Sequence, residues 1–222
     1  MLPFHPSHPF YDEDSTTTGR VCGRIYLVRH GETDANRENT AHKTVNARLT
    51  ARGEQQARDV AKYFEPVSSK ISTVTTSPFY RAQQTALPMA QKARICFPLR
   101  EIWEHPNCEI EYHDTHMSQP CLRTVAPTET KEEFAARVKN VVAGWAQAQW
   151  YHTEVVFTHS LFISEVLWPM SDPSKMFHIS NGSITIIDFN TEGNMNVHCV
   201  NSTAHLTETS GLHYPTVPVA DV

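Results

Sequence analysis

The chain of 222 residues is long enough for one domain with a sizeable buried core. Its 40% hydrophobic and 19% charged residues predict a globular protein, and its formal net charge of −5 argues against a broad nucleic-acid-binding face. No apolar run approaches the ~18 residues of a membrane span, and the first ten residues lack the pattern of a secretory signal. Five widely spaced cysteines do not suggest a disulfide framework, so we expect a cytoplasmic protein.

The patterned part of the chain lies between two polar ends. Residues 1–20 contain proline, serine, threonine and an acidic run without periodicity, and are expected to form a mobile leader. Residues 207–222 have the same character and are expected to form a flexible tail. We therefore predict one domain over residues 21–206, with a lid insertion at about residues 104–127, where no period can be read.

Strand and helix patterns alternate through the first half of this domain. The apolar run Arg24–Val28 predicts a buried strand, and the β-branched segment Ile71–Thr76 predicts a second one. Between them, Thr50 is a candidate helix N-cap and Pro66 a stop signal, with apolar residues at helical spacing in between. The pair Ser77-Pro78 predicts a cap and the first position of the next helix.

The second half continues the alternation and ends in a hairpin. Ile95–Leu99 contains a proline, which predicts an edge strand, and Thr130 with Glu133 forms a capping box that opens a long helix. Glu154–Thr158 predicts a strand that is followed by a helix, and turn signals within residues 181–200 predict the hairpin. The expected fold is therefore α/β, a single three-layer domain with a mainly parallel central sheet, helices on both faces and an edge hairpin.

Polar side chains follow three of the predicted strands. Arg29 and His30 close the first strand, Arg81 lies in the first turn of the helix after the second, and His159 follows a third. In open α/β sheets, ligands bind at the carboxyl ends of the strands. Each of these residues alone would more often be an ordinary polar residue, but four cationic or donor groups in one volume would repel one another without an anion. Because arginine and histidine suit phosphate, the sequence predicts a phosphate site.

Five sequence blocks give this site a relationship to known proteins. The blocks LVRHGETDAN, RLTARGEQQA, TTSPFYRAQQTA, LREI and VVFTHS occur in this order. Through them, the chain from about Ile25 to Leu206 resembles the histidine phosphatase (phosphoglycerate mutase-like) superfamily. The resemblance implies that His30 is a nucleophile that becomes phosphorylated and that Glu101 is the proton donor. The phosphate-binding residues that it implies are Arg29, Asn36, Arg81 and His159. The same likeness places Thr33 and Arg37 in the pocket.

The sequence departs from the family pattern at two places. The family often has a glycine-rich stretch shortly after the acid, where this chain has residues 102–107, and this leaves Glu104 as a rival to Glu101. The last block reads His159-Ser160 where the family usually has His-Gly, so a hydroxyl is added near the pocket mouth. Neither change removes a charged catalytic group, and we therefore expect an active enzyme.

A second constellation lies in the predicted lid. Its members are Cys108, His113, His116 and Cys121, which are ligand types that suit zinc. Their spacing matches no established zinc motif, and the chain has 13 histidines, so chance proximity is common. We expect no metal and no cofactor, since arginine and histidine side chains can stabilise a phosphoryl group by themselves.

The favoured function is hydrolysis of a phosphomonoester, with a small phosphorylated metabolite as the substrate and no membrane or nucleic-acid partner. A phosphoglycerate-type mutase generally needs a longer enclosing insertion than the interval from Glu101 to His159 provides. A fructose-2,6-bisphosphatase-like enzyme needs extra basic residues for its second phosphate. The candidates for that role are Lys43, Arg48, Arg100 and Arg123. An alternative of another class is a pseudo-enzyme that binds phosphorylated ligands, against which the complete set of pocket residues argues.

Overall fold

The computed structural model of the chain describes residues 21–38, 47–90, 96–98, 129–147, 152–170 and 178–207. Within these ranges the strands are β1 (Val21–Arg29), β2 (Thr73–Thr76), β3 (Cys96–Pro98), β4 (His152–Thr158), β5 (Ile184–Asn190) and β6 (Met195–Ser202). The helices are α1 (Asp34–Arg37), α2 (Ala51–Phe64), α3 (Tyr80–Ala90), α4 (Lys131–Gln147) and α5 (Ser160–Leu167). The predicted leader, the predicted lid and most of the predicted tail lie outside the described residues.

The strands form one mixed sheet in the order β3-β2-β4-β1-β5-β6. The pairs β3–β2, β2–β4 and β4–β1 are parallel, whereas β1–β5 and β5–β6 are antiparallel. The mainly parallel sheet, the edge position of β3 and the edge hairpin are thereby confirmed. Side chains of a strand point alternately to opposite faces, and both faces of β1 are buried, which fits a sheet covered on each side.

Helices cover the two faces in pairs. Tyr26 and Val28 of β1 pack in one apolar layer with residues of α2 and α3. Ile25 and Leu27, which point the other way, pack in a second layer with residues of α4 and α5. The three-layer arrangement predicted from the alternation is therefore confirmed. No helix in the described ranges is long and apolar enough to cross a membrane.

Most helix boundaries follow the predicted signals. The Thr50 hydroxyl accepts a hydrogen bond from Gly53 N at 3.0 Å and caps α2, which ends before Pro66 and continues as a 3-10 turn. The capping box that opens α4 is present, with Thr130 and Glu133 each bonding the other's backbone at 3.1 and 2.8 Å. Such caps satisfy backbone N–H groups that a helix end leaves unpaired.

One predicted boundary is wrong. The helix expected to start at Ser77-Pro78 starts at Tyr80, and residues 78–79 form a bend. The Ser77 hydroxyl accepts from Phe79 N at 3.3 Å and lies 2.7 Å from a ring nitrogen of His159, the residue after β4. The Phe79 carbonyl accepts the first helical hydrogen bonds, from Ala82 N and Gln83 N, so the helix begins two residues later than the local sequence indicates.

Candidate active site

The carboxyl ends of β1, β2 and β4 lie level with one another. The register pairs Arg29 with Thr158 and Thr76 with Phe157. Just beyond the ladder, His30 N donates to Thr158 O at 3.0 Å, and Ser77 N donates to Phe157 O at 2.8 Å. The residues that follow these three strands, His30, Ser77 and His159, therefore lie side by side at this edge. These residues and the arginines beside them, Arg29 and Arg81, are called the row below.

The row sits where the helices change sides. Helix α2, which connects β1 to β2, packs with α3 on one face of the sheet. Helix α5, which follows the neighbouring strand β4, packs on the other face. In open α/β sheets such a switch point leaves a crevice outside the carboxyl ends of the strands, and ligands bind there.

His30 is buried and its two ring nitrogens have opposite roles. Nδ1 lies 2.8 Å from the Gly31 carbonyl oxygen, which can only accept, so Nδ1 carries the proton. Nε2 accepts from Arg81 Nε at 3.2 Å, and since a guanidinium can only donate, Nε2 keeps its lone pair. The contacts thus define a neutral imidazole whose Nε2 faces an arginine.

Burial and neighbouring cations keep both histidines neutral. The pKa of His30 is held well below its usual range by burial, by Arg81 and by Arg29, although the bond to Gly31 opposes this. The pKa of His159 is lowered first by burial and then, in decreasing order, by Arg81, His30, Arg29 and Arg137. The charges that lower these pKa values are positive, so the row has the electrostatic character of an anion site.

Arg81 is 3% exposed and is fixed by its own helix. Its guanidinium carbon lies 4.8 Å from the centre of the Phe79 ring, a cation–π distance. Its backbone carbonyl accepts from the Thr85 hydroxyl at 2.7 Å, and that hydroxyl accepts from Gly31 N at 2.9 Å. Thr85 therefore ties α3 to the loop that carries His30.

His159 packs beside His30 and Phe79. The ring centres of the two histidines are 5.2 Å apart, and Phe79 contacts His159 edge-on at 5.0 Å. The other arginine, Arg29, donates from Nη1 to the Ile179 carbonyl at 2.5 Å. The four residues that the strand ends predict, Arg29, His30, Arg81 and His159, are thus brought together.

Asn36 is held by a small hydrogen-bond network in the loop after His30. Its Oδ1 accepts from Thr33 N at 3.1 Å, from Thr33 Oγ1 at 2.9 Å and from Asn181 Nδ2 at 3.1 Å. Asn181 Nδ2 also donates to the His30 carbonyl at 3.0 Å. With its oxygen committed to these donors, Asn36 has its amide N–H groups left to donate elsewhere.

Two glycines let the start of α2 pack closely against the loop that follows His30. A Cβ on Gly31 would lie 2.6 Å from Gly53 O, and a Cβ on Gly53 would lie 2.1 Å from Glu32 O. Both distances are far inside van der Waals contact, and the obstructing atoms are backbone. Glu32 reinforces this contact by accepting from the Thr50 hydroxyl at 2.9 Å and pairing with Arg52 at 3.3 Å.

Other sequence-predicted residues are placed differently. Thr33 is fully buried and supports Asn36, but Arg37 forms an exposed ion pair with Asp34 at 2.6 Å and does not join the row. Ser160 is the half-buried first residue of α5. Glu101 and Glu104 lie outside the described residues, as do the lid residues Cys108, His113, His116 and Cys121. The described ranges contain no metal-binding group of three or more acidic, histidine or cysteine side chains.

Three contributors to the site were not assigned a role from the sequence. The sequence predicts Ser77 as a helix cap and places Asn181 in a turn, while Thr85 carries no functional signal in the sequence. Ser77 stands in the TTSPFYRAQQTA block, so its closeness to Arg81 in the chain was a usable signal. No local pattern could have identified Asn181, because its partners Asn36 and His30 are about 150 positions away in the sequence.

Comparison with known proteins agrees with this geometry. The model of a family described as the histidine phosphatase superfamily (branch 1) matches residues 25–203. The adenosylcobalamin/alpha-ribazole phosphatase of Escherichia coli is 28% identical over 186 residues, covering 75% of this chain and 90% of that protein. A crystal structure of an Entamoeba histolytica phosphoserine phosphatase mutant with phosphoserine superposes with a TM-score of 0.60 at 20% identity, covering 83% and 99% of the chains. Bacillus stearothermophilus YhfR superposes with a TM-score of 0.64 at 17% identity and the same coverage.

Proposed function

Since the chain belongs to the histidine phosphatase superfamily, we propose that it is a metal-independent phosphomonoesterase that works through a phosphohistidine at His30. The observation that carries the proposal is the neutral, buried His30, whose Nε2 lone pair faces Arg81 at 3.2 Å. A neutral imidazole is the nucleophilic form of histidine, and the facing guanidinium can hold the phosphate that it attacks.

In the first step, His30 Nε2 attacks phosphorus in line, the N–P bond forms and the bond to the ester oxygen breaks. The leaving oxygen takes a proton from a carboxylic acid on the far side. In the second step, water loses a proton to that carboxylate and its oxygen attacks phosphorus, the N–P bond breaks, and inorganic phosphate leaves. His30 and the acid are then in their starting forms.

The other residues of the row bind and stabilise the moving phosphoryl group. Its negative charge spreads over three equatorial oxygens, so preorganised donors and cations lower the barrier. Arg29 and Arg81 supply guanidinium groups, His159 a ring nitrogen, and Asn36 its amide N–H groups. Because these donors are already fixed by protein contacts, little reorganisation is needed, and the proposed reaction requires no metal ion.

We propose Glu101 as the acid, with Glu104 as the rival that the sequence leaves open. The expected result is that Glu101→Gln lowers kcat on alkyl phosphates by ~10²–10⁴-fold, the usual worth of general acid catalysis. The loss should be smaller on p-nitrophenyl phosphate, because that leaving group departs with little protonation. Steady-state kinetics of Glu101→Gln and Glu104→Gln on both substrate types make the comparison. A leaving-group-dependent defect in the Glu104 variant alone would reverse the assignment.

The proposed substrate is a small phosphorylated metabolite. Two relatives support this choice by their names, one a phosphatase of alpha-ribazole and the other a phosphoserine phosphatase bound to phosphoserine. The buried row fits a phosphoryl group on a small molecule, because His30 and His159 are 2% and 0% exposed. The cysteine content leads us to propose the cytoplasm as its compartment.

The proposal is tested by turnover of p-nitrophenyl phosphate with and without EDTA. We expect hydrolysis that EDTA leaves unchanged and that vanadate inhibits, since vanadate mimics the five-coordinate phosphorus of the transition state. Loss of activity in EDTA that zinc or magnesium restores would contradict metal independence. Tight binding of phosphorylated ligands without turnover would contradict the enzyme and favour the pseudo-enzyme.

A further inference from the structure

Arg48 differs from the other described arginines outside the row. Those that have a carboxylate within 4.0 Å are Arg24, Arg37, Arg52, Arg58 and Arg137. Among the residues that the structure describes, none offers Arg48 a carboxylate at that distance. Its side chain is exposed, and its guanidinium carbon lies 6.0 Å from the centre of the Tyr80 ring. An aromatic face orients a guanidinium without neutralising it.

The position of Arg48 is set by contacts to two elements of the site. The next residue, Leu49, forms an antiparallel bridge with Thr33, which supports Asn36. Leu49 N also donates to Gln84 Oε1 at 3.0 Å, which fixes the segment to α3. The segment therefore spans from the loop after His30 to the helix that carries Arg81.

Tyr80 brings this cation next to the row. It is the first residue of α3 and directly precedes Arg81, so their Cα atoms are about 3.8 Å apart. Arg81 is buried and donates to His30, whereas Tyr80 is half-buried and its ring lies against the exposed Arg48 guanidinium. A cation that no described carboxylate neutralises, close to a site that is already cationic, favours a ligand that brings a second negative charge.

We propose that Arg48, held by Tyr80, binds a second acidic group of the substrate and so selects phosphomonoesters that also carry a carboxylate or another phosphate. This proposal rests on the phosphatase activity proposed above and adds a specificity-determining residue to it. The phosphoryl group occupies the buried row, and the second acidic group remains at the exposed rim. There the Arg48 guanidinium can donate two hydrogen bonds to a carboxylate or to a phosphate.

The test compares pairs of esters that differ only in the second group. For a carboxylate the pair is 3-phosphoglycerate and glycerol 3-phosphate; for a phosphate it is fructose 1,6-bisphosphate and fructose 6-phosphate. Arg48→Gln should raise KM for the diacidic member of at least one pair by roughly fivefold, the worth of a half-exposed charge-assisted contact. It should leave kcat, and the KM of the member that lacks the second acidic group, nearly unchanged, and Arg48→Lys should restore part of the loss.

The matched control is Arg58→Gln, which removes an exposed arginine of α2 that is paired with Glu54. Equal effects of Arg48→Gln on both members of each pair, or no effect on any, would overturn the proposal. If no ester is hydrolysed, the phosphatase proposal has failed. Calorimetric titration of the same pairs into the wild type and Arg48→Gln then decides the Arg48 proposal: selective weakening of the diacidic ligand upholds it, and equal affinity overturns it.

Discussion

Replacing His30 with alanine should reduce turnover of every phosphomonoester by roughly 10⁴-fold or more, because it removes the atom that accepts the phosphoryl group. The residual positive row would still bind phosphate, since Arg29, Arg81 and His159 do not depend on the imidazole for their backbone positions. The variant should therefore lose kcat while its affinity for inorganic phosphate changes far less. The fold should survive, as the His30 N–H and carbonyl bonds are made by its backbone.

Two measurements check this expectation. One is kcat on p-nitrophenyl phosphate, and the other is trapping of acid-labile, base-stable phosphate on the quenched protein during turnover of a radiolabelled ester. The control is His152→Ala, which removes a histidine from the opposite end of β4, 3.8 Å from Glu154. Acid-labile phosphate that still forms on the His30→Ala protein, or near-normal turnover by that variant, would contradict the phosphohistidine mechanism.

Replacing Arg81 with alanine should lower kcat/KM by roughly 10²–10³-fold, the range seen when a preorganised charge-stabilising donor is removed. A second effect distinguishes this residue from a merely structural one. Arg81 is, after burial, the largest influence that lowers the pKa of His30. Without it that pKa rises, although burial keeps it depressed. Because only neutral His30 is nucleophilic, the acid limb of the pH profile should move to higher pH.

The measurement is kcat/KM against pH for the wild type, Arg81→Ala and Arg58→Ala. Arg58 is exposed on α2 and paired with Glu54, so its variant should keep both the rate and the acid limb. An Arg81→Ala enzyme with a reduced rate and an unmoved acid limb would show that the guanidinium does not act on His30. Thermal unfolding of each variant separates these effects from loss of the fold.

The sequence was informative where a local pattern was enough to predict the structure. The run around β1 is apolar on both faces, and the sheet buries both faces there, so period and length were enough to predict a strand. Thr50 and Thr130 cap helices in the structure because each hydroxyl accepts from a backbone N–H of the first turn, and Thr50 does so while its own O–H donates to Glu32. Arg29, His30 and His159 converge because parallel strands align their carboxyl ends, a consequence of topology that needs no coordinates.

The features that the sequence did not predict depend on contacts between segments that are distant in the chain. Ser77 is a good local N-cap, yet its hydroxyl lies against His159, and the helix begins at Tyr80. Asn181 belongs to an ordinary turn dipeptide, and only the pairing of β5 with β1 carries that turn to the His30 carbonyl. Arg48 was one of several basic residues available for a second anion, and its distinction emerged only once the partners of the other arginines were known.

The contact of Gly31 with Gly53 has a consequence for how such a chain can diverge. The two glycines belong to separate sequence blocks, but a Cβ on Gly31 would meet the backbone of Gly53, and a Cβ on Gly53 would meet the backbone of Glu32. A substitution at Gly53 must displace Glu32, and with it the loop that seats His30, before any later change can compensate. The start of α2 contributes no residue to the row, yet its backbone limits how the loop that carries His30 can change. Descendants of this chain can therefore exchange exposed residues of α2, while neither glycine can gain a side chain unless the facing backbone moves.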